Sequence, residues 1–205
     1  MGVTRLPRLL LPLLLLTAAL PAAGLGIYGG ADAYRLQSAD KNGELPDFSH
    51  GIDWMAGLYQ DLDFGEHLGL RAALQLSSRS SHLDGEGELR DEILMRTVAV
   101  PLDLLLRKGR NRGAFVSLGA ALHWPQEASI CESARVAEGT ICVERDILEE
   151  IVAQEFTLAL GAGFEFDNGF VWARYEMGLE NLFDSAVSDQ DYTSEQISLM
   201  VGLRF

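Results

Sequence analysis

Over the last ten residues apolar and polar side chains exchange places at every step. Ile197, Leu199, Val201, Leu203 and Phe205 fall on one parity, and Gln196, Ser198, Met200, Gly202 and Arg204 on the other. That period of two predicts a strand with one apolar and one polar face. The same alternation recurs upstream and predicts about eight strands, spanning residues 25–36, 52–62, 67–79, 89–106, 113–124, 151–166, 170–182 and 196–205. They are long for a globular protein but suit a tilted membrane barrel. In the third strand Leu68, Leu70, Ala72, Leu74 and Leu76 oppose Gly69, Arg71, Ala73, Gln75 and Ser77. In the sixth, Phe156, Leu158, Leu160 and Phe164 oppose Glu155, Thr157, Gly161, Gly163 and Glu165, and in the seventh Val171, Tyr175 and Met177 oppose Trp172, Arg174 and Glu176. Each polar face mixes small residues with charges of both signs, which suits a crowded interior better than a freely solvated exterior. The fourth strand is apolar on both parities; placing Glu92 and Arg96 inward leaves Ile93, Met95, Thr97, Ala99 and Pro101 outward. Pro101 cannot donate to a ladder, so a bulge or an early end to pairing is expected there.

The connections alternate in length. Residues 63–66, 108–112 and 167–169 are short, and Asn168-Gly169 stands where a tight hairpin favours positive φ. Residues 39–51, 80–88, 125–150 and 183–195 are longer. Short turns at one end and long loops at the other fit a barrel that crosses an outer membrane, with the turns in the periplasm.

Residues 1–23 carry Arg5 and Arg8, a Leu-rich run from Leu9 to Leu20, and then Ala22, Ala23 and Gly24. This is the order of a secretory signal peptide, cut after Ala23, and Pro12 and Pro21 argue against a membrane-spanning anchor. Removing Arg5 and Arg8 leaves 14 basic against 30 acidic residues, a net charge of −16. Such a balance excludes nucleic acid as a partner. No apolar run past residue 25 is long enough for a transmembrane helix, so a chain in a membrane must be a closed barrel.

A strand that closes on Phe205 resembles the last strand of bacterial outer-membrane barrels, and the resemblance implies that Phe205 is part of the signal read by the barrel assembly machinery. With the Asp167-Asn168-Gly169 hairpin, the Gly178–Leu182 segment and the Ile197–Phe205 ending, residues 24–205 resemble the small outer-membrane β-barrel family that includes OmpA/OmpX-like and PorT-like "porin family" domains. The resemblance implies an all-β fold, an eight-stranded antiparallel up-and-down transmembrane β-barrel after an N-terminal signal peptide. It also implies residence in the bacterial outer membrane, with outer-membrane lipid as the surrounding partner. It is specific for architecture and weak for activity. With nothing after Phe205, anchoring to peptidoglycan is not expected.

The inward parity collects Asp32, Asp53, Arg71, Glu92, Arg96, Glu155, Arg174 and Glu176. Charges in a narrow lumen must pair, so these are expected to form a salt-bridged plug or, alternatively, to line a thin ion path. Cys131 and Cys142 lie in the longest connection, and in an oxidising compartment they can form a disulfide. Acidic residues cluster in that connection at Glu127, Glu132, Glu138, Glu144, Asp146, Glu149 and Glu150, and in the last loop at Asp184, Asp189, Asp191 and Glu195. None of this has calcium-loop spacing, so no metal and no cofactor are expected. Arg107, Lys108, Arg110 and Arg112 crowd one turn, where they would meet acidic headgroups or water. A few small barrels act on lipid A with a Ser and a His on the outer wall. His123 shares parity with Phe115 and Ser117 and points inward, so an enzyme is not expected. The leading expectation is a structural or surface-interaction barrel with an extracellular or periplasmic protein partner. The alternatives are a narrow ion or small-solute channel and a PorT-like component of a secretion or motility apparatus.

Overall fold

The computed structural model describes residues 24–38, 49–84, 90–109, 113–136, 139–183 and 192–205. The expected signal peptide, residues 1–23, lies outside them, as do Arg110, Arg112, Glu138, Asp184, Asp189 and Asp191 and the side chain of Glu132. The strands are β1 (Leu25–Ser38), β2 (Ser49–Asp63), β3 (Leu68–Asp84), β4 (Arg90–Arg107), β5 (Gly113–Val136), β6 (Gly139–Asp146), β7 (Glu155–Phe166), β8 (Gly169–Gly178) and β9 (Tyr192–Arg204). Every ladder is antiparallel. β4 pairs with β5, β5 with β7, and β9 returns to β1, so eight strands close on themselves and leave no free edge in the ring. β6 stands outside the ring and pairs with β5 alone.

Alternation sets the two faces of the wall. Leu102, Leu104, Leu106, Val116, Leu118, Leu158, Leu160, Leu199, Val201 and Leu203 are exposed on the outside. Arg71, Asp103, His123, Glu155, Glu165, Arg174 and Glu176 are buried inside. A soluble barrel would reverse this arrangement, because a continuous apolar exterior is costly in water and favourable against lipid. The turns after β2, β4 and β7 and the ends of β1 and β9 share one rim, where Phe205 N–H donates to Leu25 O at 2.9 Å. The turn after β2 holds Gly65 at φ +125°, a left-handed conformation that suits glycine.

Several expectations from the sequence are corrected. The wall strand β4 has the opposite parity: Ile93, Met95, Thr97, Ala99, Pro101, Asp103, Leu105 and Arg107 are buried inside, so Glu92 and Arg96 face outward. β4 does not end at Pro101. The β3–β4 ladder skips Val100 and Pro101 without changing register, and the bulge lies at Arg96/Thr97, with Gln126 as the extra residue of β5. Residues 125–136 and 139–146 are not an open loop but the upper half of β5 and its antiparallel partner β6. β7 begins at Glu155 rather than residue 151, β8 ends at Gly178 rather than 182, and β9 begins at Tyr192 rather than 196. The β7–β8 turn consists of Asp167-Asn168. Gly169 already pairs with Phe166 and Leu203, and its lack of a side chain accommodates the Gly202 carbonyl and the Phe166 ring.

Two apolar clusters occupy the interior. Near the turn rim Tyr28, Tyr59, Leu105, Phe115, Phe170, Trp172 and Met200 pack together, and Phe170 covers Gly202 at a distance any Cβ would block. At the loop rim Tyr34, Leu36, Ile93, Met95, Ala128 and Tyr192 from the strands meet Ile147, Ile151, Leu182 and Phe183 from the connections. An isolated bridge, Ile151 to Phe183, ties two of those connections over the mouth.

Candidate functional site

Register dictates which charges meet inside. At the turn end Arg71 bridges Asp61 (2.8 Å) and Glu165 (3.1 Å), while Arg107 reaches Glu165 (2.7 Å), Asp63 (2.5 Å) and Asp61 (3.5 Å). Arg204, one residue from the C-terminus, also meets Asp61 (2.8 Å) and Glu165 (3.4 Å). β9 is flanked by β8 and β1, so Arg204 links β7 to β2 across the seam where the barrel closes. Three arginines balance three carboxylates, and the Arg71 guanidinium sits 4.0 Å from the Phe170 centroid and 4.7 Å from that of Tyr59. Burial is tolerable here because the charges are paired and the rings add cation–π attraction.

Further up, Arg174 binds Asp103 at 3.1 Å and also Glu176. Glu176 accepts from Thr157 Oγ1 at 2.9 Å and lies 3.0 Å from His123 Nε2. Arg79 donates to His123 Nδ1 at 2.8 Å and to Glu155 at 3.3 Å. With Nδ1 accepting from Arg79, the ring proton belongs on Nε2, facing Glu176. Ser194 donates to Glu155, Gln196 Nε2 to Asp32 at 2.7 Å, and Ser80 to Asp53 at 2.5 Å. His123, Thr157 and Glu176 have the parts of an acid–base relay, yet all three are buried.

Of the candidate lumen charges, Asp32, Arg71, Glu155, Arg174 and Glu176 lie buried inside, and Asp53 lies half-buried beside Ser80. Glu92 and Arg96 do not join them. Glu92 lies 3.6 Å from His82, and Arg96 pairs with Glu127 at 2.9 Å, both on the outer face. Arg107 is buried in the turn-end cluster rather than sitting among headgroups. Sequence reasoning missed Asp61, Asp63, Arg79, Asp103, Arg107, Glu165 and Arg204 as network members. Asp61 shares parity with Asp53, Arg79 with Arg71, Glu165 with Glu155, and Arg204 with Gly202, so alternation could have found these four. Phe205 is exposed at the turn rim, on the outward side with Leu203.

Above the loop rim β5 runs on for 24 residues and carries β6 beside it, and Cys131 and Cys142 form a disulfide with their Cα atoms 5.5 Å apart. The outer face of this sheet holds an open groove of about 570 Å³, lined by Leu94, Arg96, Glu127, Ser129, Glu144 and Asp146 among others.

The molecule is a membrane-spanning β-barrel of the outer-membrane type. No family model matches the chain, and no curated protein matches it. Among solved structures it is similar to Ail, the attachment invasion locus protein of Yersinia pestis, at 15% identity over 89% of this chain and 98% of that one, with a TM-score of 0.48. It is also similar to Neisserial surface protein A, at 10% identity over 88% and 97% with a TM-score of 0.48. A third similarity is to the outer membrane enzyme PagL, at 14% identity over 87% and 99% with a TM-score of 0.41.

Proposed function

We propose that this chain is a non-enzymatic barrel of the bacterial outer membrane with a structural or surface-interaction role. Its lumen is a fixed plug and its β5–β6 hairpin is the presented part. The observation that carries this reading is the filling of the lumen at both ends. Arg71, Arg107 and Arg204 lock with Asp61, Asp63 and Glu165 at the turn end, and an apolar cap that includes Ile147, Ile151, Leu182 and Phe183 covers the loop end. An eight-stranded interior is only wide enough for side chains, so bulk flow is not expected. The His123, Thr157 and Glu176 group is buried within the plug, which supports a non-enzymatic role.

The test is electrical. The full chain is refolded, barrel formation is verified by heat-modifiable gel migration, and current is recorded across planar bilayers at two salt concentrations. A folded and silent barrel is the expected result. Discrete conductance steps that change with Arg174→Gln or Glu176→Gln would replace this reading with that of a narrow channel.

A further inference from the structure

The charges inside the barrel balance at one end and not at the other. At the turn end Arg71, Arg107 and Arg204 meet Asp61, Asp63 and Glu165. Further up, Arg79 and Arg174 share the lumen with Asp32, Asp53, Asp103, Glu155 and Glu176. Both cations are already committed, Arg79 to Glu155 and His123, and Arg174 to Asp103 and Glu176. Among the described residues Asp32 and Asp53 have no ion-pair partner. Their side-chain donors are neutral: Gln196 Nε2 on Asp32 at 2.7 Å and Ser80 Oγ on Asp53 at 2.5 Å.

The β1–β2 register sets these two carboxylates directly opposite each other on the inward parity. Such cross-strand neighbours have Cβ atoms about 4.5–5.5 Å apart, and like charges there repel. On its other side Asp32 is paired with the buried Ser198 of β9. Two acceptors at this place have no donor. One is Asp32 Oδ1, on a residue 1% exposed, and the other is Oε1 of Gln196, 2% exposed, whose amide nitrogen is spent on Asp32 and on Ser198 Oγ at 3.1 Å. Facing carboxylates without a cation and sealed acceptors without a donor describe one deficit, since a buried charge must be paired or hold a metal ion.

We propose that Asp32 and Asp53, with the Gln196 side-chain carbonyl, form a calcium site in the upper lumen. It lies just beneath the apolar cap, two residues along β1 from Tyr34. Carboxylate, amide and hydroxyl oxygens are hard donors, and calcium accepts about six to eight of them in flexible geometry with water completing the set. Among the described residues no three Asp, Glu, His or Cys side chains gather into a metal cluster, and a pair of carboxylates beside neutral oxygens does not suit zinc. There is a way in. The β2–β3 ladder is interrupted between His50 and Met55, and Asp53, within that interruption, is only half-buried. No sequence spacing marks the site, because Asp32 and Asp53 meet through strand register. A bound ion would neutralise both carboxylates and make the stability of the barrel depend on calcium.

The full chain is refolded in zwitterionic detergent, stripped with a chelator and titrated with calcium chloride by calorimetry. One saturable site is expected, with a dissociation constant of about 10⁻⁴–10⁻³ M, the range of weak extracellular calcium sites. Calcium should also raise the urea midpoint. Asp32→Asn and Asp53→Asn, each isosteric and either one sufficient, should weaken binding at least about tenfold, because ligand charge sets affinity. In chelator their midpoints should equal or exceed that of the unaltered chain, since a repulsion is gone, and with calcium the order should reverse. The E144Q/D146N variant, altered only on the acidic strand outside the ring, should keep the site. Binding that survives both Asp variants and is lost in E144Q/D146N would put the ion on the surface and overturn the proposal. So would an unaltered chain that takes up no calcium, or a carboxylic-acid infrared band that Asp32→Asn abolishes, which would mean that a shared proton holds the pair. The conductance test is separate. A silent barrel that ignores calcium keeps the plug reading and removes this one, whereas a conducting barrel that binds calcium does the reverse.

Discussion

The two ends of the lumen are closed by opposite chemistry. At the turn end three arginines and three carboxylates interlock over a floor of aromatic rings, and every participant sits on a wall strand. At the loop end Leu36, Ile93 and Met95 from the wall pack against Ile147, Ile151, Leu182 and Phe183 from the connections. The charged end is set by register alone, since a one-residue slip of any strand would turn its partner out of the lumen. The apolar end is non-directional and depends on connections folding inward, so it tolerates small displacements but loses stability steadily as volume is removed. Specificity is concentrated at one end and adaptable packing at the other.

The strongest way to break this contrast is Arg71→Ala. It removes the central cation of the turn end and leaves Asp61 and Glu165 to be shared by Arg107 and Arg204. The expected loss is about 3–5 kcal/mol, the usual effect of stranding one partner of a buried pair. Equilibrium urea unfolding in detergent micelles reads it. Ile93→Ala in the cap should cost less, about 2–4 kcal/mol, because a cavity is left but no charge is stranded. If the cap variant proves the more damaging of the two, the division between the ends is wrong. Replacing both Cys131 and Cys142 with serine should loosen only the hairpin, by about 2–3 kcal/mol of local ordering. That change appears as faster amide exchange in β6 with an unchanged global unfolding midpoint, since β6 lies outside the closed ring.

How legible the wall was in the sequence depended on whether one face held only large apolar residues. β3, β7 and β8 could be oriented because small and charged residues shared one parity and Leu, Phe, Val or Met dominated the other. β4 could not, since Ile93, Met95 and Ala99 are as apolar as Leu94, Val98 and Val100. The informative charges in β4 were Asp103 and Arg107, which are buried in the lumen, Asp103 within the wall and Arg107 at its turn end. Glu92 and Arg96 misled because they lie toward the loop rim, beside the open groove and the hairpin, where a charge can face outward into a polar surrounding. The cap was illegible for another reason. Ile147, Ile151, Leu182 and Phe183 carry no period that marks a connection as folding back over a mouth. The hairpin was hidden because the bulge at Gln126 shifts the parity of β5, putting Ala128 on the buried side after His123.

The smallest expected effect tests that orientation of β4 directly. Arg96 and Glu127 form a well-aligned pair at 2.9 Å, but their side chains are 70% and 67% exposed. Water solvates both groups before and after the bond is lost, and salt screens them, so Arg96→Ala should change stability by less than about 0.5 kcal/mol. The same truncation at Arg79, which is buried between Glu155 and His123, strands a carboxylate and should cost several times more. The two variants, unfolded side by side at low and high salt, compare one residue type on the two faces of adjacent strands. A loss at Arg96 as large as that at Arg79, and insensitive to salt, would put Arg96 inside the lumen, turn β4 over, and with it remove Asp103 and Arg107 from the network that closes the barrel.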